Sequence, residues 1–480
     1  MAKRVLIGLL SALLPGCMFG PNYERPKVDL PANWSIETAQ PAETANLAWW
    51  EQFQDETLNG LIRAALEGNQ DLKAAAARID QFYARYGVTR SELFPQIYGE
   101  GAYQRSQSSN SLGMNPQGRI GPRNNYSINI NTAWELDLWG RVKRASEAAM
   151  AELLSQEAAR RAIVLSLVSS VAKTYVQLRD LDERLRITNE TLKTRKSSLE
   201  LARTRFQNGL VSELDAIQAE AEYEATLAGI PRLEKLIAET EHALSFLLGK
   251  NPAPLRRGQA IQALSHAAVI PAGLPSDLLT QRPDIVQAEE ELAAANALIG
   301  AAKADYFPRL TLTGLFGFQS VELKDFLDGP AKTWSFGPTF SIPAYTGGRL
   351  GSQVDLAEAR KREALFNYQK AVLNALKETE DALTNFQKSG EELDARTRQT
   401  KVSRRYLDLA TQRYTEGQTS YLEVLDAERA LFASQLSLSE AQANRVLSLI
   451  ALYAAMGGGW VLSAENYSPN VPQPASAQQF

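Results

Sequence analysis

Twice along this chain of 480 residues, the apolar side chains change from helical spacing to strict alternation and back again. That repeated switch constrains the fold more than any other feature. In the first half, Leu58, Leu61, Ile62, Ala65 and Leu66 open a helical pattern expected to run from Thr57 to Leu93 and to stop at Phe94-Pro95. Beyond it, Tyr126, Ile128, Ile130, Trp134, Leu136 and Leu138 alternate with Ser127, Asn129, Asn131, Glu135 and Asp137, which is the period of a strand with one apolar and one polar face. A weaker strand over Gln96–Ser106 is expected to pair with it as a hairpin, across a polar stretch containing Gly and Pro. A long helical region follows from Val142 to Gln207, breaks at Asn208-Gly209-Leu210-Val211 and resumes to about Leu248. At about 1.5 Å per residue the first part is on the order of 100 Å long, a length found in coiled coils and tubes of packed helices.

The second half repeats this order. A helix is expected over Arg282–Tyr306, strands over Leu310–Gln319 and Trp334–Ile342, and a long helix over Arg349–Tyr414; a turn at Glu416–Ser420 then leads to a last helix ending near Met456. At a constant offset of about 208 residues, Ala202, Arg205, Phe206, Gly209, Ser212, Leu214, Ala219 and Glu220 face Ala410, Arg413, Tyr414, Gly417, Ser420, Leu422, Ala427 and Glu428. The hairpins match in the same way, Tyr126, Ser127, Gly140 and Arg141 facing Trp334, Ser335, Gly348 and Arg349. The chain therefore reads as an internal duplication, with repeats over 57–270 and 271–464. Residues 465–480, rich in Pro, Ser, Ala and Gln, read as a disordered tail.

Composition removes several classes of function. The chain has 51 basic residues against 55 acidic ones, a formal net charge of -4, and so no electrostatic reason to bind nucleic acid. One cysteine and two distant histidines, His242 and His266, give neither a disulfide framework nor a metal site. No nucleotide-binding, nucleophile-elbow or metalloprotease motif is present, so neither a cofactor nor an enzymatic activity is expected. The N-terminus is more informative. Lys3 and Arg4 precede an apolar stretch, Val5 to Leu14, that is too short to span a bilayer, and Leu14-Pro15-Gly16-Cys17 then resembles a bacterial lipobox. Residues 1–16 are expected to be removed as a signal, and Cys17 to be acylated at the head of an extended arm over 17–56. No later apolar run reaches the roughly 18 residues of a membrane helix, so any crossing must be made by strands.

Four strands per chain are too few for a membrane barrel, whose smallest closed forms need about eight. An open sheet edge in hydrocarbon leaves backbone groups unpaired at several kcal/mol each, so the chain must oligomerise to close. The apolar residues Leu310, Leu312, Phe316 and Phe318, with Trp334, Phe336, Phe340 and Ile342, are expected to face lipid, and Thr311, Thr313, Ser335, Thr339 and Ser341 a wet lumen. The alternative for the same pattern is a water-soluble sandwich with its apolar faces packed together.

Several segments carry a family resemblance: Cys17 with Gly20-Pro21-Asn22-Tyr23-Glu24-Arg25-Pro26, Ala133-Trp134-Glu135-Leu136-Asp137-Leu138-Trp139-Gly140-Arg141, Gly273-Leu274-Pro275-Ser276-Asp277-Leu278-Leu279 with Arg282-Pro283-Asp284-Ile285, and Ala304-Asp305-Tyr306-Phe307-Pro308-Arg309. In order and over essentially the whole mature chain, these resemble the lipoprotein branch of the TolC-like outer-membrane factors. The resemblance implies a mainly α protomer with transmembrane β structure, and a homotrimer with a twelve-stranded barrel in the outer membrane above a periplasmic tunnel of long antiparallel helices. It also implies two partners, a periplasmic adaptor and an inner-membrane pump.

Important residues of a duct lie where it narrows and where partners dock. By resemblance, the two helix-to-helix turns are adaptor contacts, through Arg205, Gly209 and Leu210 in the first and Arg413 and Gly417 in the second. Glu423 and Asp426, three residues apart on one helix face, would repeat around a three-fold axis as a cation-attracting ring. Their counterparts are Asp215 and Gln218, so the extra acid marks the second-half hairpin as pore-lining. The resemblance further places Tyr414 in the closing bond network with Asp215, and some members carry an arginine where this chain has Thr419. Competing readings are an exit duct for type I protein or peptide secretion, a structural envelope coiled coil and an envelope hydrolase.

Overall fold

The computed structural model describes residues 18–36, 48–107, 122–265 and 278–457. Cys17 and the tail over 465–480 lie outside the described residues. Helix α1 (Glu56–Gly68) and α2 (Gln70–Ser91) lead into strands β1 (Gln96–Ser106) and β2 (Arg123–Leu136), then α3 (Arg141–Gln207) and α4 (Glu213–Leu247). After two single-turn helices, α5 (Ile261–Leu264) and α6 (Leu278–Gln281), come α7 (Pro283–Ala304), β3 (Arg309–Ser320), β4 (Lys332–Ser341), α8 (Arg349–Thr415) and α9 (Tyr421–Ala455). The long helices match in length: α3 and α8 have 67 residues each, α4 and α9 35 each.

The single helix expected over Thr57–Leu93 is two helices. Asn69 has an extended backbone, and its side-chain oxygen accepts the Leu72 N–H at 3.0 Å while its amide donates to the Leu247 carbonyl at 2.9 Å. One asparagine thus ends α1 and caps α2, a use of a short polar side chain that apolar periodicity does not reveal.

The strands form one antiparallel sheet in the order β1-β2-β3-β4. Its register aligns the alternation of all four strands. Tyr126, Ile128, Ile130, Trp134 and Leu136 share a face with Tyr103, Phe316, Phe318, Leu312, Leu310, Trp334 and Phe340. The opposite face carries Glu100, Asn129, Asn131, Thr311, Thr313, Ser335 and Thr339. β1 and β4 form the two edges, so among the described residues the sheet of one chain is open.

The chain divides into two compact units. The first comprises residues 1–27, 78–156 and 287–368 and holds the sheet. Its helices pack through small residues, Ala148 and Ala151 against Ala294 and Ala297. The segment after Met18 is strapped onto it: Phe19 stacks on Phe307 at 4.1 Å, Arg144, buried, donates to the carbonyls of Phe19 and Gly20 and to Asn22, and Tyr23 and Arg25 both donate to Glu289. The second unit comprises residues 28–77, 157–286 and 369–480. There Trp49 stacks on Tyr453 at 5.3 Å, and the buried Asp55 carboxylate caps α1 through Thr57 and Leu58 and accepts the Tyr175 hydroxyl and the Gln259 N–H at 2.7 and 2.8 Å. No helix among the described residues is long and apolar enough to cross a membrane.

Candidate functional site

The two turns expected to carry function both lie in the second unit and are built alike. In the first, the Gly209 N–H donates to the Phe206 carbonyl at 2.9 Å and the Leu210 N–H to the Arg205 carbonyl at 2.8 Å; in the second, Gly417 donates to Tyr414 at 3.1 Å and Gln418 to Arg413 at 2.8 Å. These paired bonds are the Schellman termination of a helix, which requires a left-handed residue at the position held by glycine. Gly209 has φ +69° and Gly417 +76°. Leu210 occupies the position that usually folds back onto its own helix, yet it is 72% exposed. Its apolar side chain is left for another surface.

The acids at the start of the following helices, Asp215 and Glu423, have diverged in use. Asp215 reaches back to accept the Ser212 N–H at 3.3 Å, the reciprocal bond of a capping box. Glu423 instead accepts from the Arg413 guanidinium at 3.1 Å across the turn. Asp426 accepts the Tyr406 hydroxyl at 3.0 Å, and this carboxylate holds the phenol above its ordinary pKa. Within one chain no hydrogen bond links Tyr414 to Asp215, whose carboxylate accepts the Ser212 N–H. Tyr414 lies instead under the Arg205 guanidinium, 4.6 Å from its carbon to the ring centre, and 5.5 Å from the Tyr421 ring. That cation–π contact ties the first turn to the second.

Below the turns, Leu199, Ala202, Ala216 and Ala219 of the first hairpin pack with Ala410, Tyr421, Val424, Leu425 and Ala427 of the second. Glu428 is buried beside this cluster. One of its oxygens accepts the Ser198 hydroxyl at 3.0 Å and the other has no partner. Burial raises its pKa, against the opposing pull of Ser198 and Arg195. Tyr421 is pushed up to about 12, chiefly by burial. Arg195, also buried, is held by Glu222 at 2.8 Å and Thr226 at 2.5 Å, and Arg429 pairs with the same Glu222 at 2.6 Å. Tyr406, Glu428 and Arg195 were missed by motif reasoning. Tyr406 could have been found, since it and Asp426 sit ten residues either side of Glu416 and an antiparallel hairpin pairs such positions.

Among the described residues no three His, Cys, Asp or Glu side chains converge as metal ligands would. What the arrangement offers is a set of breakable polar contacts around two exposed turns. Comparison with known proteins gives the context. The signature of the family described as "Outer membrane efflux protein" matches residues 61–250 and 274–458. The chain belongs to the outer membrane efflux protein family. Among its relatives, the solvent efflux pump outer membrane protein SrpC of Pseudomonas putida is 36% identical over 465 residues, covering 94% of this chain and 97% of SrpC. The cation efflux system protein CusC of Escherichia coli K12 is 35% identical over 461 residues, covering 95% and 99%. Solved structures agree: a crystal structure of CusC superposes with a TM-score of 0.84 at 33% identity over 92% of this chain and 100% of that one. The Campylobacter jejuni CmeC outer membrane channel gives 0.87 at 26% identity over 95% and 99%. Family membership places this chain among outer-membrane efflux channels, and relatives named for pumps favour efflux over protein secretion.

Proposed function

We propose that this protein is the exit duct of a tripartite efflux system, closing as a homotrimer whose twelve strands form one outer-membrane barrel. The observation that carries the proposal is the open sheet with one continuous apolar face: its two edges need partners in hydrocarbon, and three copies of four strands supply them. On this reading Ile128, Ile130, Phe316 and Trp334 face lipid and the Ser, Thr and Asn rows line the lumen. Such a lumen discriminates little, so the pump and adaptor select the cargo. The arm supports acylation of Cys17, because Phe19 stacks beside the entrance to β3 and donates its N–H to Trp139, within a few residues of the end of β2. A lipid on Cys17 would then sit at the rim of the barrel.

The turns are the periplasmic end. Glu423 and Asp426, repeated three times, form the constriction, with Tyr414 and Asp215 holding the flanking turns. Arg205, Gly209, Leu210, Arg413 and Gly417 present the adaptor-docking surface. Arg413 belongs to both sets, since its guanidinium binds Glu423. An adaptor group that takes over Arg413 releases Glu423, which couples docking to opening without a basic residue at Thr419.

Purified protein in planar bilayers tests this. We expect cation-selective channels whose conductance rises when Glu423 and Asp426 are replaced by their amides. A protein that forms no channels, or whose selectivity ignores both substitutions, contradicts the proposal.

A further inference from the structure

We infer that the β3–β4 loop is a lip seated in the outer leaflet, with the phosphate-bearing headgroup layer of the membrane as its partner surface. The inference rests on the barrel reading above and adds where this loop goes. Connecting loops of a barrel commonly project into water or fold over the lumen. Here the loop over residues 321–331 turns towards the apolar face instead: Phe326 lies 6.3 Å from the ring of Tyr126, which in turn lies tilted against Tyr103 at 4.9 Å, and Tyr126 belongs to the row of Ile128 and Ile130. Tyrosine and its neighbours at this end of a lipid-facing row mark the level where hydrocarbon gives way to headgroups.

The loop itself carries apolar side chains that its own fold does not cover. Val321, Leu323 and Leu327 are 61%, 65% and 69% exposed. Three large aliphatic residues in one short turn are costly in water and natural in an interface. Lys332 fixes the depth. It is opposite Phe318 in the register, hence on the apolar face, and its ammonium lies 5.2 Å from the centre of the Phe316 ring. A cation on that face is expensive in hydrocarbon and favourable among phosphates, with its stem along the aromatic ring. The acids Glu322, Asp325 and Asp328 are exposed, and Glu322 pairs with Lys324 at 3.0 Å, which keeps part of the loop polar.

Spin labels attached to Leu327→Cys, Ile130→Cys and Ser335→Cys, in full-length protein reconstituted into phosphatidylethanolamine–phosphatidylglycerol vesicles, test the inference through collision with oxygen and with a water-soluble nickel complex. The parent chain, carried through the same labelling, is the blank. The label at 327 should favour oxygen over nickel several-fold relative to 335, at a shallower depth than 130. If 130 reports lipid while 327 is as wet as 335, the lip is wrong and the barrel stands. If 130 is also wet, the barrel reading fails and the lip with it.

Discussion

Breaking the Arg413–Glu423 pair with Glu423→Gln should shift the channel toward its open state by roughly tenfold. The pair is 3.1 Å long, with side chains 52% and 33% exposed, so solvent screens it and each copy is worth about 0.5 kcal/mol. Three copies that open together multiply that to about 1.5 kcal/mol, near the 1.4 kcal/mol that changes an equilibrium tenfold. The assay is the open fraction of single channels in planar bilayers at low salt, with Arg413→Ala and the double variant completing a cycle. The double variant should open no further than either single one, because the interaction is already lost. Raising the salt should narrow the gap between parent and variants, as ions screen an exposed pair. Strictly additive single effects, or variants indistinguishable from the parent at low salt, would refute the pairing as a latch.

Three further outcomes follow from the same geometry. Tyr406→Phe removes the hydrogen bond to Asp426 but keeps the carboxylate charge, so it should raise conductance while leaving cation selectivity unchanged, whereas Asp426→Ala should change both. Glu428 has a folded-state pKa above its unfolded value, so its stabilising neutral form persists below the unfolded pKa and is lost as pH rises through the folded one. Hydrogen exchange around Tyr421–Leu431 should therefore quicken as pH rises above the ordinary glutamate range, beyond its intrinsic dependence, and Glu428→Gln should flatten that excess. Asp55→Ala removes the cap of α1 and leaves the buried Tyr175 hydroxyl without its acceptor, so it should cost about 2–4 kcal/mol in chemical denaturation.

The parts of the fold that follow from periodicity could be read from the sequence. The switch from helical spacing to alternation located all four strands to within three residues, and the 208-residue offset corresponds to the spacing of α3 to α8 and of α4 to α9. Glycine chemistry gave both turns, because only a left-handed residue closes them. What stayed hidden depends on neighbours that a single helix does not name. Asn69 ends one helix and starts the next through its side chain, invisible to an apolar pattern. Glu220 and Glu428 occupy matching positions, yet Glu220 is half-buried and pairs with Arg203 while Glu428 is buried against Ser198. Duplicated sequence with different surroundings has given one acid a surface role and the other an interior one. Asp215 and Glu423 diverge in the same way, one closing a cap and the other binding across a turn.

The most direct test of the central claim is disulfide trapping between the sheet edges of different copies. A cysteine at Gly101 on β1 would be paired with a cysteine scanned along Lys332–Ser341 on β4, strands that stand at opposite edges of one chain's sheet. Disulfides need Cα atoms within about 7 Å, so only true neighbours link. Closure predicts that a narrow register of β4 positions forms interchain bonds and that linked species stop at three chains. A scan giving no interchain bonds, or a ladder continuing past three, would contradict the trimeric barrel.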